Sequence, residues 1–460
     1  DQWGPRGIAV KLESQGSSLA QDRSILVWDN GASIAPVRLT AFIPVTASAQ
    51  ETAVLAGPRN QERKEALTRI HSRVLGLLGM AGDGVVVAVD PALVEALGVT
   101  SASLEEAARN GGSRSSASEG APQAPQGGDS SSPSTAEPSA TAGPSPKSSA
   151  PPSPSASATA TSPPTKTPDD VTQLSAALVR AIGTGSLVAL PWGDSDTAAL
   201  AHLQQTSLIE TATQRTRESA IVKAGAPASL AWPASSITDS ATVDVLPQST
   251  STIIASPTSL PVADELTYTP SGLGALGDRA VLLPEQSLSE ALASRTPEVG
   301  TADQAQQATP STQTPQAAEL DTRQLLRGDS AILTRQAPAL ERDIVVAMPR
   351  QAASSADPTA LQERVDALHS TSWAQPQSLS ALEEHARAEV EAVDEGTSGI
   401  ERSEPPDRVT DNDELPTATL AAAAGTASTL QSVSSVLSDP AALLGDYTDL
   451  EAVVSSASWR

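Results

Sequence analysis

The chain contains no cysteine. That excludes a disulfide framework and any thiolate metal site, and leaves the redox compartment open. One Phe and two Tyr in 460 residues mean that a core has to be assembled from aliphatic side chains. No apolar run reaches the about eighteen residues a membrane-spanning helix needs. The nearest candidate, 419–437, is broken by Gly, Ser, Thr and Gln. Basic residues are scarce: 29 Lys and Arg stand against 54 Asp and Glu, a net charge of −25. Phosphate binding needs a basic patch, so nucleic acid and anionic membrane surfaces are excluded as partners. Only four histidines occur, His71, His202, His369 and His385. None form a helical i, i+4 pair, so no metal site is expected and the His pair of a metal-dependent deacetylase is missing. The chain starts at Asp1 with no signal-peptide core, and is read as a mature protein or an excised piece.

What is present is a rhythm of short apolar runs and helical patterns. Val37–Val45 (VRLTAFIPV), Val85–Val89, Leu187–Leu190, Ser229–Trp232, Ser251–Ala255, Ala280–Leu283 and Asp343–Ala347 read as strands buried on both faces. HSTSWAQPQSL adds a weak last strand or a loop. Between them, Glu62–Leu78 places Ala66, Leu67, Ile70, Val74, Leu77 and Leu78 on one helical face. Asp170–Ile182 and Pro358–Leu368 are further helices, and Asp196–Lys223 is one long or broken helix. This alternation predicts an α/β fold, a (β/α) barrel of 7–8 parallel strands in preference to an open doubly wound sheet. Residues 1–33, with the runs GIAVKLES and SILVWDNG, read as the end of a β-rich, sandwich-like region. Residues 34–460 are the barrel domain with C-terminal helices, interrupted by disordered insertions at 110–168, 296–317 and 394–416. The first insertion is almost entirely Ser, Pro, Ala, Thr and Gly. That composition suits either a glycosylated extracellular stalk or a plain spacer.

Candidate chemistry gathers just past the strand ends, where barrels of this class keep their sites. The stretch LVALPWGDSDTAALAHL is a strand, a tight Trp-Gly-Asp turn and a helix in succession. Asp90, Asp194 and Glu285 are the candidate catalytic carboxylates, and Asp196 is a candidate ligand contact. Two of the acids facing each other at about 5–10 Å would suit glycoside hydrolysis. Helix capping explains the same residues. Asp90-Pro91 is an N-cap followed by Pro at the first helical position, and Asp357-Pro358 and Asp439-Pro440 repeat the device. Glu285 is harder to explain that way, because Ser287 with Glu290 already makes a capping box. Six Trp among so few aromatics is lopsided, and Trp28, Trp192, Trp232 and Trp373 sit at or just beyond apolar runs. Trp192, Trp232 and Trp373 are therefore candidate stacking platforms for sugar rings, or packing that closes the barrel mouth. His202 reads as a partly exposed helix residue. Arg350 meets either an anionic ligand or a salt-bridge partner. Gly82–Gly84 and Gly272–Gly277 lack the strand, helix and Lys-Ser/Thr context of a phosphate loop, so no nucleotide and no cofactor are expected.

WGPRGIAV, SILVWDNG, VRLTAFIPVT, VVVAVDPALVEAL, LVALPWGDSDTAALAHL, LAWPASSITD, YTPSG, DIVVAMPR and SWAQPQSL occur in this order along nearly the whole chain. The series resembles an actinobacterial cell-envelope family of unknown function, whose genes commonly sit beside that of the lipid II flippase. The resemblance implies an exported protein with a β-sandwich-like region before this piece and a membrane anchor after it. It also implies a role near peptidoglycan assembly, with a membrane protein of the flippase pathway as a partner, and it brings no reaction with it. Two functional readings follow. One is a non-catalytic extracytoplasmic protein binding a cell-wall glycan, a lipid-linked precursor or a partner protein. The other is a metal-independent glycoside hydrolase on a polysaccharide-deacetylase- or glycosidase-like barrel, using two of Asp90, Asp194 and Glu285.

Overall fold

A computed structural model describes residues 3–15, 17–57, 60–115, 169–263, 266–294, 314–440 and 453–460. Among the described residues there are eleven strands: β1 (Gly4–Ser14), β2 (Ser17–Trp28), β3 (Val37–Val45), β4 (Val85–Val89), β5 (Leu187–Ala189), β6 (Leu230–Ala231), β7 (Thr252–Ile254), β8 (Leu273–Leu276), β9 (Arg279–Leu282), β10 (Asp343–Ala347) and β11 (Ala374–Pro376). All seven apolar runs form strands, and the weak last run becomes β11. The fold is mixed α/β with parallel strands. One sheet runs β10-β3-β4-β5 with β11 added alongside β3, and a second runs β6-β7-β9-β8. Every pairing in the first sheet is parallel. In the second, β8 runs antiparallel to β9, which corrects the all-parallel expectation. The hairpin turns at Gly277, whose φ of +58° is left-handed. Its first strand lies in Gly272–Gly277, a stretch too rich in glycine to read as a strand by composition.

The two sheets meet at their edges through isolated backbone hydrogen bonds. Ala189 N–H donates to Pro227 C=O at 2.8 Å, and on the other side Gly272 and Glu285 N–H groups donate to Asp343 and Val345 C=O, both at 2.8 Å. Side chains alternate between two cores, as the pleat requires. Phe42, Val86, Ala88, Val188, Leu230, Ile254, Leu282 and Val345 pack into one cluster shared by strands of both sheets. Leu39, Ala41, Ile43, Val85, Val87 and Val89 pack the other way, against Ile70, Val74, Leu77, Leu174 and Leu178 of the surrounding helices. At the strands' amino end the helix Leu379–Asp394 inserts Leu379, Leu382 and Ala386 into the shared cluster.

The antiparallel β1–β2 hairpin packs on the helix Pro315–Gln336, where Gly328 leaves room for Ile25. The predicted broken helix is three helices, Thr197–His202, Thr206–Glu218 and Ala220–Lys223. Most of the first predicted insertion and the bulk of the second fall outside the described residues, except that the helix Ser101–Ser115 runs into the first. The third, 394–416, is mostly exposed, yet it is tied to the rest of the protein rather than disordered. Arg402 donates to the carbonyls of Leu273, Leu260 and Ser271, Asp411 receives Ser236 N–H at 2.8 Å, and Glu414 reaches His202 at 2.9 Å. Long-range polar pairing orders a segment whose composition has no periodic apolar signal. Among the described residues no helix is long and apolar enough to cross a membrane.

Candidate functional site

The parallel strands bring Asp90, the Trp192–Asp194 turn, Trp232 and Arg350 to one end, each just beyond the carboxyl terminus of β4, β5, β6 or β10. Asp90 caps the helix Pro91–Ala96: its Oδ1 accepts from Ala92 N–H at 2.9 Å. The same oxygen accepts from Gly193 N–H at 2.9 Å. Gly193 and Asp194 take successive left-handed conformations, φ +70° and +46°, which folds the turn over Asp90. For Asp194 this backbone is costly, by about 1–3 kcal/mol. Asp90 is only 5% exposed. Burial pushes its carboxyl up to about 7, and the neighbouring negative charge of Asp194 adds to the rise.

Asp194 is held by Arg350, whose Nε lies 2.7 Å from Oδ2 and 3.0 Å from Oδ1. Arg350 also donates to Trp232 C=O at 2.5 Å and lies 4.9 Å over the Trp232 ring. Of the two expected uses of Arg350, the structure shows the salt bridge. Asp196 is fully buried; it caps Thr197–His202 and receives Arg460 Nε and Nη2 at 2.6 and 3.0 Å. It is closed to a ligand, because residues 453–460 lie over this end. Asp196 N–H donates to Ser455 C=O at 2.7 Å, and Thr52 and Ser458 hydroxyls meet at 3.0 Å.

Glu285 does not join Asp90 and Asp194. Its Oε2 accepts from Leu288 N–H at 2.7 Å, making Glu285 the N-cap of Gln286–Leu292. Ser287 is no cap but donates to Glu285 at 3.1 Å, which corrects the capping-box reading. The charge that Glu285 influences is Asp329, raised to about 6, first by burial and then by Glu285. Trp373 also lies elsewhere, at the amino end before β11. Its indole donates to Ser330 at 3.0 Å and packs edge-on against Trp3 with centroids 5.6 Å apart, so it is core rather than platform. Trp28 is 49% exposed on the hairpin. The expected ring of indoles therefore reduces to Trp192 and Trp232.

A cavity of about 510 Å³ opens beside Asp90, walled by Arg63, Asp90, Glu95, Trp192, Gly193 and Ser456. Trp192 is buried and lies under Arg215 at 4.5 Å, and among the described residues its Nε1 has no hydrogen-bond partner. A buried indole N–H ordinarily finds one. Arg63 and Glu95 carry no sequence signal beyond an amphipathic helix, and Arg460 carries none. Another site the sequence missed is His202, which is buried, not partly exposed. Its Nε2 meets Asp239 at 2.8 Å and its Nδ1 meets Glu414 at 2.9 Å. The two acids lie on opposite sides of one ring and share no point where a metal could sit. Among the described residues no group of three or more His, Asp and Glu could hold a metal.

A family model described as Family of unknown function (DUF6049) matches residues 1–460. No curated protein matches the sequence. Among solved structures, an alpha-amylase from Thermotoga maritima is similar at 9% identity and a TM-score of 0.43, over 88% of this chain and 84% of that one.

Proposed function

The chain belongs to DUF6049, and from that premise we propose that it is a non-catalytic, extracytoplasmic cell-envelope protein that binds a wall glycan or lipid-linked precursor in the cavity beside Asp90. The observation that carries this reading is the engagement of every candidate acid. Asp90 holds two backbone N–H groups, Asp194 is paired with Arg350, Asp196 with Arg460, and Glu285 caps a helix away from the rest. Hydrolysis of a glycoside needs two carboxyl groups flanking one bond, whereas retention of a polyol needs hydrogen-bonding walls and an aromatic face. Asp90, Arg63, Glu95 and the Trp192 indole supply those walls. The two sheets, joined at both edges by lone hydrogen bonds and sharing one inner cluster, are read as an interrupted (β/α) barrel whose mouth is this site. Export, a membrane anchor elsewhere in the full protein and a partner in the flippase pathway belong to the same proposal. They are supported by the ordered motif series and the Ser/Pro/Thr-rich tract.

The glycoside-hydrolase alternative draws on one observation. Asp90 keeps its proton up to about pH 7 beside Asp194, an acid held against Arg350, and such divergent carboxyl environments are how acid and nucleophile roles are divided. Calorimetric titration of the purified protein with muropeptide fragments, combined with a reducing-end assay, separates the two. Saturable binding without product release is expected, and Trp192→Ala weakens binding at least tenfold. Reducing ends produced by the wild type and abolished in Asp194→Asn would establish the hydrolase instead, and absence of both binding and product would overturn both site readings.

A further inference from the structure

A second cavity, of about 300 Å³, lies at the seam between the two sheets. It is bounded by β5, β6, the helix Thr206–Glu218 and the loop around 246–250, and it shares no lining residue with the cavity beside Asp90. We propose that it binds a medium-chain carboxylate, an octyl-length apolar tail carrying one anionic head. The walls are Ile209, Ala212, Leu230, Leu246 and the ring-bearing Trp232, with Arg217 at the mouth. A hydroxyl inside the wall is already used: Thr216 Oγ1 donates to Ala212 C=O and accepts from Trp192 N–H, both at 2.8 Å. Thr213 and Thr197 hydroxyls likewise donate to the Ile209 and Ser195 carbonyls, so the interior, although Ser229 and Thr250 also line it, offers mainly dispersion and dehydration.

The seam explains why the space exists. At this edge β5 and β6 are joined through Ala189 N–H and Pro227 C=O, and the small side chains Ala189, Ala212, Ala228 and Ala231 line the gap where the sheets separate. A mostly apolar hollow with one convergent charged group is the usual form of a small-molecule site. Its size corresponds to roughly ten groups of ~30 Å³, which an eight-carbon acid fills.

Charge fixes the head group. Arg217 is exposed in a chain of net charge −25, and among the described residues it forms no ion pair with a carboxylate. Its Nη2 donates to Ser249 Oγ at 3.5 Å, across the mouth. The adjacent Glu218 is turned to Gln214, one helical turn back. A carboxylate placed between Arg217 and Ser249 gains a charge-assisted hydrogen bond, while its tail displaces water from the apolar walls. The site goes beyond the glycan reading and stands or falls without it.

Isothermal titration of the whole chain with octanoate, and with octan-1-ol as the uncharged analogue, tests the proposal. Octanoate binds saturably one-to-one and at least tenfold more tightly than the alcohol. Arg217→Gln, at an exposed position, weakens octanoate at least tenfold and leaves the alcohol unchanged. Thr213→Trp, which fills the cavity from a half-exposed helix position, abolishes binding of both, with a circular dichroism spectrum matching the wild type. No saturable octanoate binding overturns the proposal, as does unchanged affinity in Arg217→Gln. Equal affinity for the alcohol would remove the anionic head from it, and unchanged binding in Thr213→Trp would place the ligand elsewhere.

Discussion

The two ends of the parallel strands each bury an aspartate, and the two acids are treated in opposite ways. At the amino end Asp343, the first residue of β10, receives Arg38 Nε and Nη2 at 2.9 Å, Gln377 Nε2 at 2.8 Å and faces His385 Nδ1 at 2.8 Å. Burial favours its neutral form, yet the hydrogen bonds from Arg38, His385 and Gln377 hold the carboxyl below its ordinary range. At the carboxyl end Asp90 receives only backbone N–H groups and faces another acid, and burial lifts it to about 7. One end uses charge to tie β3, β10, β11 and the helix Leu379–Asp394 together. The other keeps an uncompensated acid beside a cavity. In βα folds, residues at the amino ends of the strands serve stability, and those at the carboxyl ends serve chemistry or binding. The divergence of these two aspartates is that rule expressed in electrostatics.

The comparison breaks most visibly at Asp343. Asp343→Ala leaves Arg38 partly buried beside Glu341 alone, and loss of one partner of a buried pair costs about 3–5 kcal/mol. Urea unfolding at pH 7 is expected to show a loss in that range. Because the folded carboxyl is depressed, its contribution is present above the ordinary value near 3.8 and disappears as pH falls through the folded one. A loss below about 1 kcal/mol would make the amino end no more stabilising than a surface pair.

Asp90→Asn is expected to act with the opposite sign. Below about pH 4 both the folded and unfolded chains hold the proton, so Asp90 has no influence there. Between about pH 4 and 7 only the folded chain keeps it, so wild-type stability falls as pH rises, and the full penalty applies above 7. Asn caps as well as Asp and carries no charge. The variant is therefore expected to be more stable than wild type at pH 8, by on the order of 2–4 kcal/mol, and equal to it at pH 4. Thermal melts across that range would show the two curves diverging. Parallel curves would mean that Asp90 is ionised without cost and that the contrast between the ends is false.

Much of this frame is legible in the amino acids, and the reasons for the gaps are specific. Runs such as VVVAV and DIVVA announce strands buried on both faces because nothing polar interrupts them. β8 does not, because Leu273-Gly274-Ala275-Leu276 has two small residues and owes its extension to pairing with β9. Asp90 and Asp194 were legible as neighbours of strand ends, but the partner that holds Asp194, Arg350, lies 156 residues away in sequence. The same holds for Asp196 and Arg460, and for His202, Asp239 and Glu414. Local pattern locates an acid; only the fold supplies the partner that decides whether it is spent or available. Trp373 shows the converse, since an indole next to Pro and Ser looks like a rim residue until Trp3 and Ser330 are brought against it.

The smallest expected effect is the one that isolates burial from capping. Asp357-Pro358 repeats the Asp90-Pro91 device almost angle for angle: φ −76°, ψ 116° against φ −72°, ψ 115°, with Oδ1 accepting from the second helical N–H at 3.0 and 2.9 Å. Asp357 is exposed and lines neither the cavity beside Asp90 nor the one at the seam. Its replacement by Ala therefore removes a cap and nothing else, for about 1 kcal/mol, measurable by urea unfolding at pH 7. If Asp90→Ala costs the same, capping accounts for Asp90 as well. If Asp90→Ala instead costs less than Asp357→Ala at pH 8, or stabilises, the difference is the penalty of holding a buried charge, with Asp194 adding to it. A helix cap with no other use gives no reason to retain such a penalty.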